Sequence, residues 1–310
     1  MGFPWVATNS GRTRHRPAGF VLALLCLLSF GAKAEDSLHS ITVDQTERSY
    51  VLHVPPAVKE PAALVIVLHG GGGSAKSAIA QTGFDAEADK RGFITAYPEG
   101  TARSNGRFHT WNAGACCGIA VVRGMDDVGF IRAMVAEIAA AYPLDPKRIY
   151  ATGLSNGGMM AYRLGCEASD LVAAIAPVSA VIVVAPCEPR FPVSVLHIHG
   201  TADRNVPIAG GVGEKSIVKY PYPPVERSIA FWAAWDDCGK DPIVSTAAPS
   251  VTLRSYPLCT LGIAVDYYVI EGGSHAWPGG KRLAKFLDEP SKAIAATPLI
   301  WQFFAAHPKP

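Results

Sequence analysis

Gly153-Leu154-Ser155-Asn156-Gly157 is the segment of this sequence that is most informative about its fold. It follows a strand-like run at residues 148–152 and opens a helical pattern at residues 156–165. A Gly-x-Ser-x-Gly pattern between a strand and a helix is typical of a tight turn that exposes the serine hydroxyl. Glycine suits both ends of such a turn, because a side chain there collides with the neighbouring backbone. The stretch therefore predicts that Ser155 is a nucleophile at the end of a strand.

On either side of this turn, short apolar runs alternate with longer amphipathic segments. Strands are predicted at residues 64–68, 93–97, 172–178, 193–199 and 265–270, a hairpin at 41–54, and helices at 128–142, 224–235 and 291–304. This alternation predicts an α/β fold with a mainly parallel sheet and helices on both faces. Active sites of such folds lie at the carboxyl ends of the strands, so the loops that follow strands are where catalytic residues are expected.

The serine hydroxyl needs a base, and in this kind of turn the acid and then the histidine follow the serine along the chain. His275 lies directly after the predicted strand at 265–270, and Asp203 lies after the strand at 193–199. We expect His275 to be the general base. We expect Asp203 to fix the tautomer of that histidine and to stabilise its charged form.

A run of glycines, residues 70–73, follows another predicted strand ahead of the serine. Consecutive glycines let the backbone approach a substrate carbonyl, so we expect the amides of Gly71 and Asn156 to form an oxyanion hole. A phosphate-binding loop is the alternative, but the Gly-Lys-Ser/Thr ending of such loops is absent. His69, which precedes the run, is expected to brace the loop.

Metal chemistry is not expected. His197 and His199 alternate on one face of a predicted strand, but no third ligand at suitable spacing accompanies them. We predict that they pack and form hydrogen bonds beneath the active site. The sequence therefore predicts no metal and no cofactor.

Residues 1–34 predict a secretory signal peptide. A basic segment at 11–17 precedes an apolar run at 18–31 and the small-x-small ending Ala32-Lys33-Ala34. The apolar run is shorter than the roughly 20 residues that span a bilayer. We expect cleavage after Ala34, export to the extracellular space or the periplasm, no membrane partner, and one domain over residues 35–310.

Cleavage also changes the charge and the cysteine count. It would remove four of the 28 basic residues and none of the 26 acidic ones, which leaves a net charge of −2. The 28 basic and 26 acidic residues of the full chain, a net charge of +2, are already too balanced for the concentrated basic field that nucleic acid requires, so we expect no nucleic-acid partner. Six of the seven cysteines remain, and an even number in an exported protein predicts disulfides.

With these residues assigned, the chain resembles secreted esterases of the α/β-hydrolase superfamily. These are the esterases related to polyhydroxybutyrate depolymerases and to feruloyl and acetylxylan esterases of the carbohydrate-esterase type. The resemblance runs from about residue 41 to 305 and is carried by residues 68–71, 97–100, 111–118, 126–130, 153–159, 199–203 and 273–279. Its most specific parts are Trp-Asn…Cys-Cys at 111–117 and Asp-Asp-Val-Gly-Phe at 126–130. The resemblance implies nucleophile Ser155, acid Asp203 and base His275.

The resemblance also implies a substrate class. We expect a serine carboxylic-ester hydrolase that forms an acyl-enzyme on small or oligomeric esters, either of hydroxyalkanoates or linked to plant polysaccharides. Soluble esters are favoured over granular polyester, because no linker or added binding domain is visible. Two alternatives stay open: a peptidase or lactone hydrolase on the same triad, and an exported binding protein that kept the fold without catalysis.

Two further sets of residues have expected roles. Trp111 and Trp277 lie on loops at the predicted mouth of the site, where their faces either hold an acyl group or a sugar ring or pack along the rim. Loop proximity favours pairing Cys166 with Cys187 and Cys238 with Cys259. That leaves Cys116 and Cys117 as a vicinal pair, with a free thiol pair or an exchanged connectivity as the alternatives.

Overall fold

The computed structural model describes residues 1–7, 35–103 and 106–310. The chain divides into two compact units, Met1–Ala32 and Lys33–Pro310, and the architecture below belongs to the second. The basic segment, apolar run and cleavage site predicted for the signal peptide lie outside the described residues. No helix in the described ranges is both long enough and apolar enough to cross a membrane.

A ten-stranded sheet organises the larger unit, in the order β1-β2-β4-β3-β5-β6-β7-β12-β11-β10. In chain order the strands are β1 Glu35–Val43, β2 Thr46–Val54, β3 Ala62–Leu68, β4 Ile94–Pro98, β5 Leu144–Leu154, β6 Ala174–Val178, β7 Ser194–Gly200, β8 Gly211–Val212, β9 Pro221–Tyr222, β10 Ile243–Ala248, β11 Val251–Tyr256 and β12 Val265–Ile270. Strands β8 and β9 form a separate antiparallel ribbon. The six strands from β4 to β12 in the sheet order are parallel to one another, and antiparallel strands flank them on both sides.

Seven α-helices cover this sheet in the part of the chain that the structure describes. They are α1 Ala75–Thr82, α2 Phe84–Arg91, α3 Gly118–Val122, α4 Asp127–Ala141, α5 Asn156–Glu167, α6 Val225–Trp235 and α7 Ala296–Ala306. The longer helices α4 to α7 were expected from their apolar spacing. Helices α1 and α2 were not, although Ser74 caps the first and Gly83 and Gly92, both in the left-handed conformation, end the two.

Helices on both faces of the sheet make two hydrophobic cores, and β3 shows why. Its seven residues are all buried. Alternate residues such as Leu64 and Ile66 pack in one core with α4, α5 and α6, while Val65 and Val67 pack in the other with α1, α2 and α7. A strand buried on both faces reads as a continuous apolar run, which is the pattern the sequence presents. The predicted α/β class with a mainly parallel, doubly covered sheet is confirmed.

The antiparallel extension of the sheet by β10 and β11 was not predicted. Strand β10 lies at the sheet edge, and five of its six residues are exposed, so it carries no buried apolar run. Its exposed Ile243 and Val244 belong to the edge rather than to either core. On the other side of β12, the parallel order β5-β6-β7-β12 carries the loops after β5, β7 and β12 to one end of the sheet.

Candidate active site

Ser155 lies at the turn between β5 and α5, in a backbone conformation that few residues other than glycine adopt. Its φ is 57° and its ψ is −123°, and the side chain is half-buried. A Cβ at Gly153 would lie 2.6 Å from the carbonyl oxygen of Leu68, and one at Gly157 would lie closer still to the same oxygen. The prediction that a side chain at either glycine would collide with the neighbouring backbone is confirmed. The turn is wedged against the end of β3, and this fixes the serine.

The predicted acid and base meet in the structure. Nδ1 of His275 lies 2.7 Å from Oδ2 of Asp203, and the second carboxylate oxygen accepts hydrogen bonds from the amides of Asn205 and Val206, both at 2.9 Å. The Asp203 side chain is fully buried, whereas that of His275 is 10% exposed. Burial pushes the pKa of Asp203 upward, but the electrostatic attraction and hydrogen bond of His275, with smaller effects of His199 and the Val206 amide, outweigh it and hold the pKa below its ordinary value. The carboxylate is therefore ionised and aimed at the imidazole.

The acid and base loops are also joined through their backbones. The amide of Ala202 donates to the carbonyl of Gly273 at 2.9 Å, and Gly200 lies so close to Gly273 that no side chain fits between them. Among the hydrogen bonds of the described chain, none joins Ser155 Oγ directly to His275 Nε2. Catalytic hydrogen bonds are often long or poorly aligned in empty sites and tighten when substrate binds.

The glycine-rich loop lies against the serine turn. A Cβ at Gly70 would be 3.7 Å from Cβ of Ser155, and one at Gly71 would be 3.6 Å from Cβ of Asn156. The amide of Gly72 donates to the carbonyl of His109 at 2.8 Å, and that of Gly73 donates to the carbonyl of Gly70 at 3.0 Å. Gly71 thus stays the candidate donor in this loop, beside the amide of Asn156 at the first position of α5.

His69 braces this loop, as its position after β3 predicts. Its Nδ1–H donates to the carbonyl of Gly70 at 2.8 Å, and its Nε2 accepts from the amide of Gly100 at 3.0 Å. Burial lowers the pKa of His69 to about 4. The ring is neutral, its tautomer is fixed by two backbone partners, and it is not free to act as a base.

A pair of buried histidines, His197 and His199, lies beneath Asp203. His199 Nε2–H donates to the carbonyl of Val206 at 2.8 Å, so its Nδ1 accepts from His197 Nε2–H at 3.1 Å. His197 Nδ1 in turn accepts from the Tyr162 hydroxyl at 2.8 Å. Burial lowers the pKa of both histidines. These are neutral, hydrogen-bonded residues of the core, as expected.

The cysteines pair as expected. The structure joins Cys166 to Cys187, Cys238 to Cys259, and Cys116 to Cys117. The free-thiol and exchanged alternatives are therefore not the arrangement observed. The vicinal pair is buried and lies in the segment that follows Trp111.

Both tryptophans singled out in the sequence are fully buried. The indole of Trp111 donates to the carbonyl of His69 at 2.9 Å, and that of Trp277 donates to Oγ1 of Thr297 at 3.0 Å. Neither ring presents a face to solvent. Of the two interpretations, this burial favours packing over contact with substrate.

Sequence reasoning missed what holds the Trp111 segment in place. Asp126 caps α4 through the amide of Gly129, but Asp127 has a different role. Its carboxylate forms a buried ion pair with Arg48 at 2.7 Å and accepts from the amide of Asn112 at 2.7 Å. Arg48 and Asp127 are 79 residues apart, so no local pattern could have signalled the pair.

One described cluster has ligand atoms close enough for a metal. It comprises Asp36, His53 and Asp85. Both ring nitrogens of His53 are engaged by carboxylates, those of Asp36 at 2.8 Å and Asp89 at 3.0 Å. The carboxylate of Asp85 instead accepts from the hydroxyls of Thr95 and Tyr97. These contacts account for the three side chains, which lie on β1, β2 and α2.

Residues 48–228, more than half of the chain, match the family described as Esterase PHB depolymerase. The chain belongs to this family. It is a carboxylic ester hydrolase of the α/β-hydrolase fold.

Individual relatives of this esterase differ in how much they share with it. The protein NocK of Nocardia uniformis subsp. tsuyamanensis is 35% identical over 267 residues, which cover 80% of this chain and 76% of NocK. Feruloyl esterase B of Piromyces equi is 33% identical over 196 residues, which cover 61% of this chain. The matched region is only 35% of that relative, so the esterase spans about a third of its length.

A solved structure supports the fold of the esterase. Acetyl xylan esterase from Aspergillus awamori superimposes with a TM-score of 0.62, covering 87% of this chain and 99% of the other. The two are 15% identical, so the likeness bears on the fold alone. It confirms the predicted α/β-hydrolase fold.

Proposed function

We propose that this esterase works through a Ser155–His275–Asp203 triad and an acyl-enzyme intermediate. The observation that carries the proposal is the 2.7 Å contact between His275 Nδ1 and Asp203 Oδ2. The two residues follow β12 and β7, at the same end of the sheet as the serine turn after β5. A serine at a strained turn, a histidine oriented by a buried carboxylate and glycine amides nearby are the parts that acyl transfer requires.

The proposed reaction has two halves. His275 Nε2 takes the proton of Ser155 Oγ as the oxygen attacks the ester carbonyl, and the charge that develops on the carbonyl oxygen is held by the amides of Gly71 and Asn156. His275 then gives the proton to the departing alcohol, which leaves an acyl-serine. A water molecule, activated by the same histidine, attacks this acyl group and releases the acid. Asp203 stabilises the imidazolium that forms in each half.

The proposed substrates are small or oligomeric soluble esters. Relatives of the chain include proteins named feruloyl esterase B, bifunctional acetylxylan esterase/xylanase XynS20E and poly(3-hydroxyalkanoate) depolymerase C. These names support aromatic, acetyl and hydroxyalkanoyl esters as the acyl classes to compare. With Trp111 and Trp277 buried, the selection of the acyl group falls to other side chains of the loops around the serine.

The test replaces the proposed nucleophile. Ser155→Ala should lower turnover of p-nitrophenyl acetate by at least a thousandfold, since the acyl-enzyme cannot form. Ser169→Ala is the matched control, because this buried serine accepts amide hydrogen bonds from Arg190 and Phe191 near the opposite end of β6. It should retain wild-type turnover. Equal rates for wild type and Ser155→Ala would overturn the assignment.

Substrate preference is tested by competition. Methyl ferulate, acetylated xylan and soluble hydroxybutyrate oligomers are offered together, with a polyester film assayed in parallel. We expect cleavage of soluble esters to exceed clearing of the film. Hydrolysis of a peptide p-nitroanilide or of a lactone faster than any ester would favour the alternative hydrolase activities instead.

We also propose that the protein is exported after cleavage at Ala34. The three disulfides support this proposal, because such bonds persist in oxidising compartments. The test expresses the full chain in a bacterial host and sequences the exported protein from its amino end. A mature chain that begins at Glu35 is expected. Retention of the entire chain in the cytoplasm would contradict it.

A further inference from the structure

The side chain of Asn156 holds the backbone of a distant segment on both sides. Its Oδ1 accepts from the amide of Trp111 at 2.7 Å, and its Nδ2 donates to the carbonyl of the same residue at 3.1 Å. The indole of Trp111 then reaches the carbonyl of His69 at 2.9 Å. All three residues are buried. A continuous set of hydrogen bonds therefore runs from the serine turn, through residue 111, to the start of the glycine-rich loop.

This set joins the two candidate oxyanion donors. Asn156 supplies one backbone amide, and its side chain lies directly beside Gly71, whose hypothetical Cβ would be 3.6 Å from Cβ of Asn156 and 3.9 Å from its Oδ1. The Asn156 side chain therefore packs against the backbone of Gly71. If it were shortened, the glycine-rich loop would lose both this contact and, through Trp111, its hydrogen-bonded connection to the turn.

The intermediate segment is itself held from below. The amide of Asn112 donates to Asp127 at 2.7 Å, and Arg163 of α5 donates to the carbonyl of Asn112 at 2.6 Å. Asp127 is paired with Arg48 in the core. The position of Trp111 is thus fixed by its neighbours, and both the serine turn and the glycine-rich loop are hydrogen-bonded to it.

We propose that the Asn156 side chain and the Trp111 indole are positioning groups that set the separation of the Gly71 and Asn156 amides in the oxyanion hole. The inference rests on the proposed function, because it assigns a role to groups beside Ser155 as nucleophile. Neither side chain touches the reacting atoms. They act on the barrier by holding donors where the charge develops, a position that matters more in the transition state than in the bound substrate.

Removing one oxyanion donor outright lowers kcat by roughly 10²- to 10³-fold in a serine hydrolase. Displacing a donor while keeping it should cost less. We expect a fall in kcat of roughly 10- to 100-fold, with KM changed less than about threefold, since the ground-state ester forms weaker contacts with these amides.

The experiment compares Asn156→Ala, Trp111→Phe and the double variant on p-nitrophenyl butyrate. Asn156→Ala keeps the backbone amide and deletes both side-chain hydrogen bonds. Trp111→Phe keeps an aromatic ring and the backbone bonds to Asn156, deletes the bond to the His69 carbonyl, and reduces the packed volume, a loss that the control below shares. Rates are expressed per active site, titrated with an organophosphate, so that unfolded protein does not count. Both changes act on the same distance, that between the Gly71 and Asn156 amides. The fold loss of kcat in the double variant should therefore be smaller than the product of the losses in the two single variants.

A second readout separates positioning from folding. The inhibition constant of a trifluoromethyl ketone, whose serine adduct carries an oxyanion, should rise in proportion to the loss in kcat/KM. Trp232→Phe is the matched control, because Trp232 is another fully buried tryptophan, on α6, outside this set of hydrogen bonds. It should lower thermal stability without changing kcat or the inhibition constant.

The outcomes are distinguishable. Wild-type kcat and wild-type ketone affinity per titrated site in both single variants would overturn the positioning role and leave the triad intact. Full activity of Ser155→Ala would instead overturn the proposed function on which the inference rests. Losses in kcat and ketone affinity that run in parallel and are less than multiplicative in the double variant would support the positioning role.

Discussion

Asp203 and His275 are 72 residues apart in sequence and 2.7 Å apart in the structure, and the carboxylate is the more deeply buried of the two. Asp203→Asn should lower kcat by roughly 10³- to 10⁴-fold with little change in KM. An amide at this position cannot stabilise the imidazolium, and its NH₂ favours the wrong tautomer of the ring. Steady-state kinetics on a soluble ester measure the effect.

The matched control for this change is Asp170→Asn, which removes an exposed carboxylate paired with Arg132. It should leave kcat within about twofold of wild type, because exposed ion pairs contribute little to stability and this one is remote from the serine turn. A loss of less than tenfold in Asp203→Asn would show that a different carboxylate orients His275.

Asp236 at the end of α6 should make the protein less stable as the pH rises. The residue is buried, and burial raises its pKa to about 7, opposed by a weaker interaction with the amide of Val193. The folded state therefore holds a proton that the unfolded chain releases near pH 4. Its contribution is complete below pH 4 and is lost as the pH rises to about 7, by up to about 4 kcal/mol.

Urea unfolding of wild type and Asp236→Asn from pH 4 to 8 checks this expectation. The asparagine variant should gain stability relative to wild type across the range, with the gap largest at pH 8. The comparison between the two proteins cancels the titration of all other groups. A gap that does not change with pH would show that Asp236 ionises normally in the folded state.

The His197–His199 pair should make the protein less stable as the pH falls, the opposite of the effect of Asp236. Every ring nitrogen of the pair is used. A proton added to His199 Nδ1 would face the N–H of His197, and one added to His197 Nδ1 would require the Tyr162 hydroxyl to accept instead of donate. The folded pKa of both residues is depressed by burial, so the unfolded chain takes up protons first, near pH 6.5. Stability from the pair is complete above that pH and is lost as the pH falls through the folded pKa values.

His197→Gln tests this titration, because a glutamine accepts from Tyr162 and donates to His199 without binding a proton. The variant should be less stable than wild type at pH 8 through imperfect packing. The difference should shrink as the pH is lowered from 6.5 toward 4.5. Parallel unfolding curves at all pH values would contradict the assigned protonation states.

Two disulfides of this chain offer an internally matched comparison. Cys166–Cys187 and Cys238–Cys259 each close a loop with a sequence separation of 21. Chain entropy predicts that replacing either pair by alanine costs about 3 kcal/mol, and the same amount for both. Urea unfolding of the two double variants measures it. A difference greater than about 1.5 kcal/mol would show that native contacts, rather than loop closure, dominate the effect.

The sequence predicted the parts of the fold that bury continuous apolar runs. Strands β3, β6 and β7 are buried along their whole length, and each was visible as such a run. Strand β10 is exposed along most of its length and helices α1 and α2 have eight residues each, so neither strand nor helix periodicity was evident. Their formation depends on neighbours distant in sequence, such as β11 for β10.

The candidate site also contains residues that local sequence patterns predict and residues whose roles depend on distant contacts. Ser155, Asp203 and His275 could be assigned because each is tied to the end of one strand by a short local pattern. The side-chain role of Asn156 could not, since its partner Trp111 is 45 residues away and the contact depends on how two loops fold over the sheet. The same separation explains why Trp111 was assigned to the mouth of the site rather than to its floor.

The crowding beneath the serine turn separates the parts of this protein that tolerate redesign from those that do not. Gly153 and Gly157 touch the carbonyl end of β3 with no space for one added carbon, so a library that varies them will return inactive clones whatever substrate is used for selection. The side chains of Leu283 and Phe286, in the segment beyond Trp277, are exposed instead. Variation at these two positions is therefore far better tolerated than at either glycine of the turn.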